Sequence, residues 1–263
     1  MSSFQYKAPA LLLRELGITE PEDIHIEAIA QYCGATIRYE NLTGCEARIL
    51  GLNDKAIITV KKDSPRERQR FSAGHELGHW MRDRGKIAFA CEAKTFAREW
   101  SADNPERRAN QYAAELLLPE PMFTLRARSR EITFASVEEL TAAFQTSLTA
   151  TAIRLVELGS FPAMIVCYSR EKRHWFFRGP DVPTALWPLE HPENETLASR
   201  LLNSLPVSAK PTRISADAWI KHPESWQYSL IEDSRLLVAG LVISLLWWKD
   251  ERQLLDLMNE DEE

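Results

Sequence analysis

The sequence lacks a paired cysteine motif. Its four cysteines, Cys33, Cys45, Cys91 and Cys167, are widely spaced without any C-x-x-C, which argues against a disulfide framework. No apolar run reaches bilayer length: the longest, 236–248 (LLVAGLVISLLWW), has thirteen residues, against the roughly 20 that a spanning helix needs. The N-terminal stretch MSSFQYKAPALLLREL lacks the basic start, long apolar core and small-residue cleavage site of a signal peptide. These absences lead to the expectation of a cytoplasmic protein without membrane attachment. An excess of positive charge is missing too. The net charge of -6 argues against nucleic acid as the main partner. Internal repeats and low-complexity segments are absent apart from the acidic end, residues 260–263.

What remains is an ordinary globular composition, 44% hydrophobic and 27% charged over 263 residues. That length suffices for one large domain or two to three small ones. Basic residues gather at Arg66, Arg68 and Arg70, at Arg107 and Arg108, and at Arg126, Arg128 and Arg130. Runs of this kind are solvated surface by default.

One stretch stands out: 71–82, FSAGHELGHWMR, containing His75-Glu76-Leu77-Gly78-His79. Residues four apart share a helix face, so both imidazoles can point at one ion while Glu76 stands beside them. The H-E-x-x-H spacing is that of zinc peptidases. It supplies two neutral imidazole ligands and a carboxylate able to take a proton from the attacking water. The bland alternative is two surface histidines flanking a glutamate.

The surrounding pattern supplies a scaffold. Residues 8–17 read as a short helix closed by a glycine, and 24–33 as a second helix closed by Gly34. Three short strands follow at 35–40, 47–52 and 56–60, and the last is a candidate for pairing with a bound peptide. Ser64, Pro65 and Glu67 form a helix start by local chemistry, and Gly85 helps to end the helix. Residues 86–103 read as a loop with local helix near 93–100. Asn104-Pro105 then opens a helix stopped by Pro119 and Pro121.

A catalytic zinc normally takes three protein ligands. Glu99, Asp103, Glu106 and Glu115 are candidates for the third. Glu106 is favoured because Asn110 falls one turn later on the same face, where its amide can orient a ligand histidine. Glu115, among alanines and leucines, is the rival.

FSAGHELGHWM followed by ERRANQYAAELLLPEPMF resembles the ImmA/IrrE family of metallo-endopeptidases, in which a gluzincin-like H-E-x-x-H helix precedes an E-x-x-A-N helix. The resemblance is dense over 64–123. It implies a zincin-like fold, His75, His79 and Glu106 as metal ligands, Glu76 as general base and Asn110 behind a ligand. It also implies a client among helix-turn-helix repressors of stress-response or mobile-element genes. Three positions depart from the family pattern: Gly74 where a larger residue is usual, Arg108 where a second acid is common, and Tyr112 for phenylalanine.

Further on, 136–159 reads as two helices about a tight turn. A DNA-reading helix-turn-helix is the sharp interpretation, but the second helix offers only Arg154 as a basic contact, which favours a structural helical pair. After 161 the chain becomes tryptophan-rich, with Trp175, Trp187, Trp219, Trp226, Trp247 and Trp248 expected chiefly to fill a core. A hairpin at 164–177, a helix at 197–205 and strands at 214–220 and 228–233 are expected there, with 235–248 as a closing strand or helix. His174, His191 and His222 show no ligand spacing.

The sequence therefore predicts an α+β protein. It comprises a metallopeptidase domain over 1–124 (a small sheet plus active-site helices), a helical pair over 125–160 and a C-terminal mixed region over 161–263. The expected activity is zinc-dependent hydrolysis of a peptide bond in a protein client, with manganese or iron also compatible with such ligands. Tyr112 and Arg154 are candidates for stabilising the oxyanion. A non-catalytic binding module for a repressor or toxin is the rival reading, and an intact Glu76 argues against it.

Overall fold

In the computed structural model the described residues are 6–83, 88–92 and 104–259. They form two compact units, Met1–Phe123 with Thr141–Ser147, and Thr124–Leu140 with Leu148–Glu263. The fold is α+β, as the order of elements in the sequence implies. Among the described residues no helix is long and apolar enough to cross a membrane.

The first unit begins with α1 (Pro9–Glu15) and α2 (Ile26–Tyr32), followed by β1 (Ala35–Glu40), β2 (Cys45–Leu52) and β3 (Lys55–Lys61). The long helix α3 (Arg66–Asp83), β4 (Ala88–Glu92) and α4 (Pro105–Leu117) complete it. Gly34 ends α2 with φ +79°, a left-handed conformation that glycine adopts without steric penalty. The strands expected from alternation are all present, each within two residues of its expected ends.

Sheet order corrects one expectation. The strands lie β1-β3-β2-β4, with β1 and β3 parallel and the other pairs antiparallel. β3 is interior, hydrogen-bonded on both sides, so it has no free edge to pair with a peptide. A second correction concerns 88–92, expected to be loop: it is strand β4, held by pairing with β2 rather than by a strong alternation of its own. The local helix expected at 93–100, and Gly85, Glu99 and Asp103, lie outside the described residues. Helix α3 starts one position later than expected, since Pro65 rather than Ser64 offers the carbonyl to the first helical amide, Gln69 N (2.9 Å). The Ser64 hydroxyl instead donates to Glu46 Oε2 at 2.5 Å.

The core lies between the sheet and α3. Ala47, Ile49, Ala56, Ile58 and Val60 point inward against Ala73, Leu77 and Trp80. Trp80 is buried and donates its indole N–H to the Cys33 carbonyl at 2.9 Å. Gly51 of β2 makes room for that ring: a Cβ there would lie 2.6 Å from Trp80 Cζ3.

α4 ends where Pro119 follows it, but Pro121 does not prolong the break. It lies in the first turn of α5 (Glu120–Ala127), where the missing N–H costs nothing, a helix not expected from the sequence pattern. The expected helical pair is present as α6 (Phe134–Phe144) and α7 (Leu148–Leu158).

The second unit is built on a sheet of β5 (Ala163–Tyr168), β6 (Arg173–Arg178), β8 (Thr212–Ser215), β10 (Ser229–Leu236) and β11 (Val242–Trp247). The order β6-β5-β11-β10-β8 sets two antiparallel hairpins side by side through β5 and β11. β7 (Trp187–Pro188) and β9 (Ile220–Lys221) pair separately, α8 (Leu197–Leu202) packs on β10 and β11, and α9 (Arg252–Asn259) follows β11. The strand expected at 214–220 is broken by a 3-10 turn at Ala216–Ala218. The thirteen-residue apolar run is the end of β10, a turn at Gly240 (φ +73°) and β11. Trp219, Trp247 and Trp248 fill the core, whereas Trp187 and Trp226 are exposed.

Two consecutive carboxylates of β10 tie helices to opposite sheet faces. Glu232, buried, accepts from Leu197 N (3.0 Å) and Ala198 N (2.8 Å) at the start of α8, and from Trp219 Nε1 (3.2 Å) and Ser234 Oγ (2.6 Å). Burial pushes its pKa up against these donors, which favour the anion. Asp233 accepts from Phe134 N (2.7 Å) at the start of α6.

Two stability predictions follow. Gly51→Ala forces the Trp80 ring out of its hydrogen-bonded place, so urea titration is expected to show a loss of about 1–3 kcal/mol. Glu232→Ala strands two buried amides and an indole N–H, and the same measurement is expected to show a loss of about 2–4 kcal/mol.

Candidate metal centre

Helix α3 places His75 and His79 one turn apart, with Nε2 atoms 3.1 Å from one another. Helix α4 brings the third group: Glu106 Oε2 lies 3.2 Å from His75 Nε2, and Glu106 Oε1 lies 3.3 Å from His79 Nε2. These three residues form the one cluster of metal-donor groups among the described residues, their donor atoms all within 4.8 Å of one another. The spacing fits an ion. Four ligands placed tetrahedrally at zinc distances of about 2.0–2.1 Å are separated from each other by about 3.3–3.4 Å. The observed separations are close to that edge length.

The local sequence explains how α4 delivers Glu106. Asn104 caps the helix by accepting from Glu106 N (2.9 Å), and Pro105 occupies the first helical position. Glu106 therefore stands in the first turn, and Asn110 follows one turn later. Asn110 Oδ1 lies 2.8 Å from His75 Nδ1. With the amide oxygen as acceptor, Nδ1 carries the proton and the Nε2 lone pair faces Glu106.

Two glycines set the distance between the helices. A Cβ on Gly78 would lie 3.0 Å from Tyr112 Cβ and 3.1 Å from Ala109 Cα, and one on Gly74 would lie 3.3 Å from Ala113 Cβ. The departure at Gly74 noted in the sequence thus falls at the crossing of α3 and α4. The sequence offered a signal for this contact in the facing small residues Gly74, Gly78, Ala109 and Ala113.

Electrostatics separate the groups. His75, Glu76 and His79 are buried, whereas the Glu106 side chain is 54% exposed, opening the cluster to solvent on the α4 side. Burial would lower the pKa of His75, but the hydrogen bond that its protonated ring can donate to Glu106, the charges of Glu76 and Glu106, and Asn110 together raise it above the ordinary imidazole value. The arrangement favours positive charge at the point where the Nε2 atoms meet.

Other expected residues lie elsewhere. Tyr112 is buried in the core, edge-on to Tyr6 at 6.5 Å between ring centroids, with its hydroxyl pKa pushed up by burial. The Glu115 carboxylate accepts from Gln111 Nε2 at 2.9 Å, and the cluster contains Glu106 in its place. Arg154 belongs to the second unit and pairs with Glu157 at 2.6 Å. His174 and His191 are exposed.

The first unit thus presents two imidazoles and a carboxylate beside a buried glutamate, on a helix pair next to a four-stranded sheet. Residues 30–156 match the family model of the IrrE N-terminal-like domain, peptidase M78. No curated protein matches the chain in sequence. Among solved structures it is similar in fold to a Mycobacterium tuberculosis transcriptional regulator, with 13% identity and a TM-score of 0.57 over 91% of this chain and 86% of that one.

Removing the group behind His75 tests the coordination sphere. Asn110→Ala is expected to weaken metal binding about 10–100-fold, measured by competition with a chromogenic chelator, while circular dichroism remains that of the parent protein.

Proposed function

We propose that the protein is a metal-dependent endopeptidase that hydrolyses a peptide bond in a protein client. The observation that carries this reading is the convergence of His75, His79 and Glu106 within ligand distance of one another, beside the buried Glu76. His75, His79 and Glu106 would hold the ion, and two imidazoles with one carboxylate suit zinc, with manganese or iron also accepted. Bound there, the metal supplies Lewis acidity, polarising the scissile carbonyl and making water acidic enough to be deprotonated near neutral pH.

The chain's own residues do the rest. Glu76 takes the proton from the attacking water and passes it to the leaving amine. Its burial keeps bulk water away from that transfer and strengthens the pull of nearby charge. Asn110 holds His75 in the tautomer whose lone pair faces the ion. Glu106, at the exposed side, leaves an approach for an extended segment of the client.

For the client we propose a helix-turn-helix transcriptional repressor in the cytoplasm. Support comes from the family of the domain and from the fold likeness to a chain named as a transcriptional regulator. Direct recognition of DNA is not part of the proposal, given the net charge of -6 and the pairing of Arg154 with Glu157.

The test is Glu76→Gln, which keeps the shape and removes the base. Metal content is expected to stay at the parent level while cleavage of a co-expressed repressor falls about 10²–10⁴-fold. If metal-loaded parent and variant both bind the repressor and neither cuts it, the peptidase reading fails and a binding module replaces it.

A further inference from the structure

The sheet of the first unit has a second face that the metal centre does not use. Register fixes what it presents. Ala56, Ile58 and Val60 of β3 point into the core, so Lys55 and Ile57 point outward, and across the antiparallel pair Leu50 stands opposite Ile57 and Leu52 opposite Lys55. Leu50 is 62% exposed and Leu52 is 75% exposed, with Ile57 partly buried beside them. Two leucines this exposed on a paired strand, rather than on a loop, form a rigid apolar strip.

Its rim is basic. Arg38 of β1 and Arg48 of β2 flank Thr59 of β3 in one row, and Lys55 lies at the end of the strip. All three cations are exposed, and none has an ion pair among the described residues. Glu46, the carboxylate on the same strand as Leu50, is already engaged by Lys61 at 3.7 Å and by Ser64. These unpaired cations stand in a chain whose net charge is -6.

We propose that this face docks an amphipathic helix of a protein partner, with its apolar stripe on Leu50, Leu52 and Ile57 and its Asp or Glu flanks against Arg38, Arg48 and Lys55. Charge selects the occupant. A second copy of the chain would set these cations against themselves, whereas acidic flanks satisfy them. Spacing agrees as well. Alternate residues of a strand are about 6.6–6.8 Å apart, and residues i and i+4 of a helix rise about 6 Å, so a helix along β2 keeps step with Leu50 and Leu52 over one turn. The inference does not depend on whether the partner is cut.

A fluorescein-labelled peptide of about five helical turns, with leucines at i and i+4 and glutamates on both flanks, provides the probe. Its binding to the full-length chain is followed by fluorescence anisotropy beside a control with lysine for each glutamate. The glutamate peptide is expected to bind, the lysine peptide not. Leu50→Asp/Leu52→Asp is expected to weaken binding at least about tenfold, which corresponds to about 1.4 kcal/mol. Arg38→Glu/Arg48→Glu, which leaves the apolar strip in place, is expected to do the same, and thermal melts identify either variant if it is misfolded. Binding of both peptides alike, binding of neither, or affinity unmoved by the folded variants overturns the proposal. So does a parent dimer that Leu50→Asp/Leu52→Asp dissolves, or preferential binding to phosphatidylserine vesicles.

Discussion

The close crossing of α3 and α4 is the constraint on which the first unit depends. Glycines at 74 and 78 face Ala109, Tyr112 and Ala113 so closely that a side chain at position 78 would push the facing helix away by a few tenths of an ångström. A helix axis displaced outward by even one methyl layer would draw Glu106 away from two imidazoles that it now approaches at 3.2 and 3.3 Å. The same crossing sets the hydrogen bond between His75 and Asn110, residues 35 positions apart in the chain. Small residues here act on chemistry through distance, because packed helices shift as rigid bodies and carry every side chain with them.

Burial and exposure divide the work within that geometry. Glu76 and His79 are removed from solvent, where each charge interaction is stronger, and Glu106 remains at the surface. The field they create at His75 favours positive charge despite the cost of burial. A divalent cation meets the same field, so the electrostatics and the ligand spacing argue in one direction. Gly51 contributes from the other side of α3, letting the sheet close on Trp80 and fixing the helix that bears both histidines.

The second unit solves a different problem, namely how to pack helices on both faces of one antiparallel sheet. β10 does so with neighbouring carboxylates, because successive strand residues point to opposite faces. Glu232 takes the start of α8 and Asp233 the start of α6. A buried carboxylate is costly, and the cost is offset where backbone amides at a helix start converge on it.

Local physics was legible in the sequence, and long-range packing was not. Spacing put His75 and His79 on one face, the Asn104-Pro105 start put Glu106 and Asn110 one turn apart, and alternation marked the first three strands. Where the reading failed, the deciding partner lay elsewhere in the chain. β4 is a strand because β2 pairs with it. The apolar run at 236–248 has no period that separates strand from helix, and only the turn at Gly240 and the pairing of β11 with both β5 and β10 resolve it. The sequence by itself determined which residues can bind a metal and on which helix faces they stand, since that follows from a 3.6-residue repeat. Only the tertiary structure decided that the two faces meet, that β3 is interior and that Leu50 and Leu52 are left uncovered, since each depends on which distant surfaces close on one another.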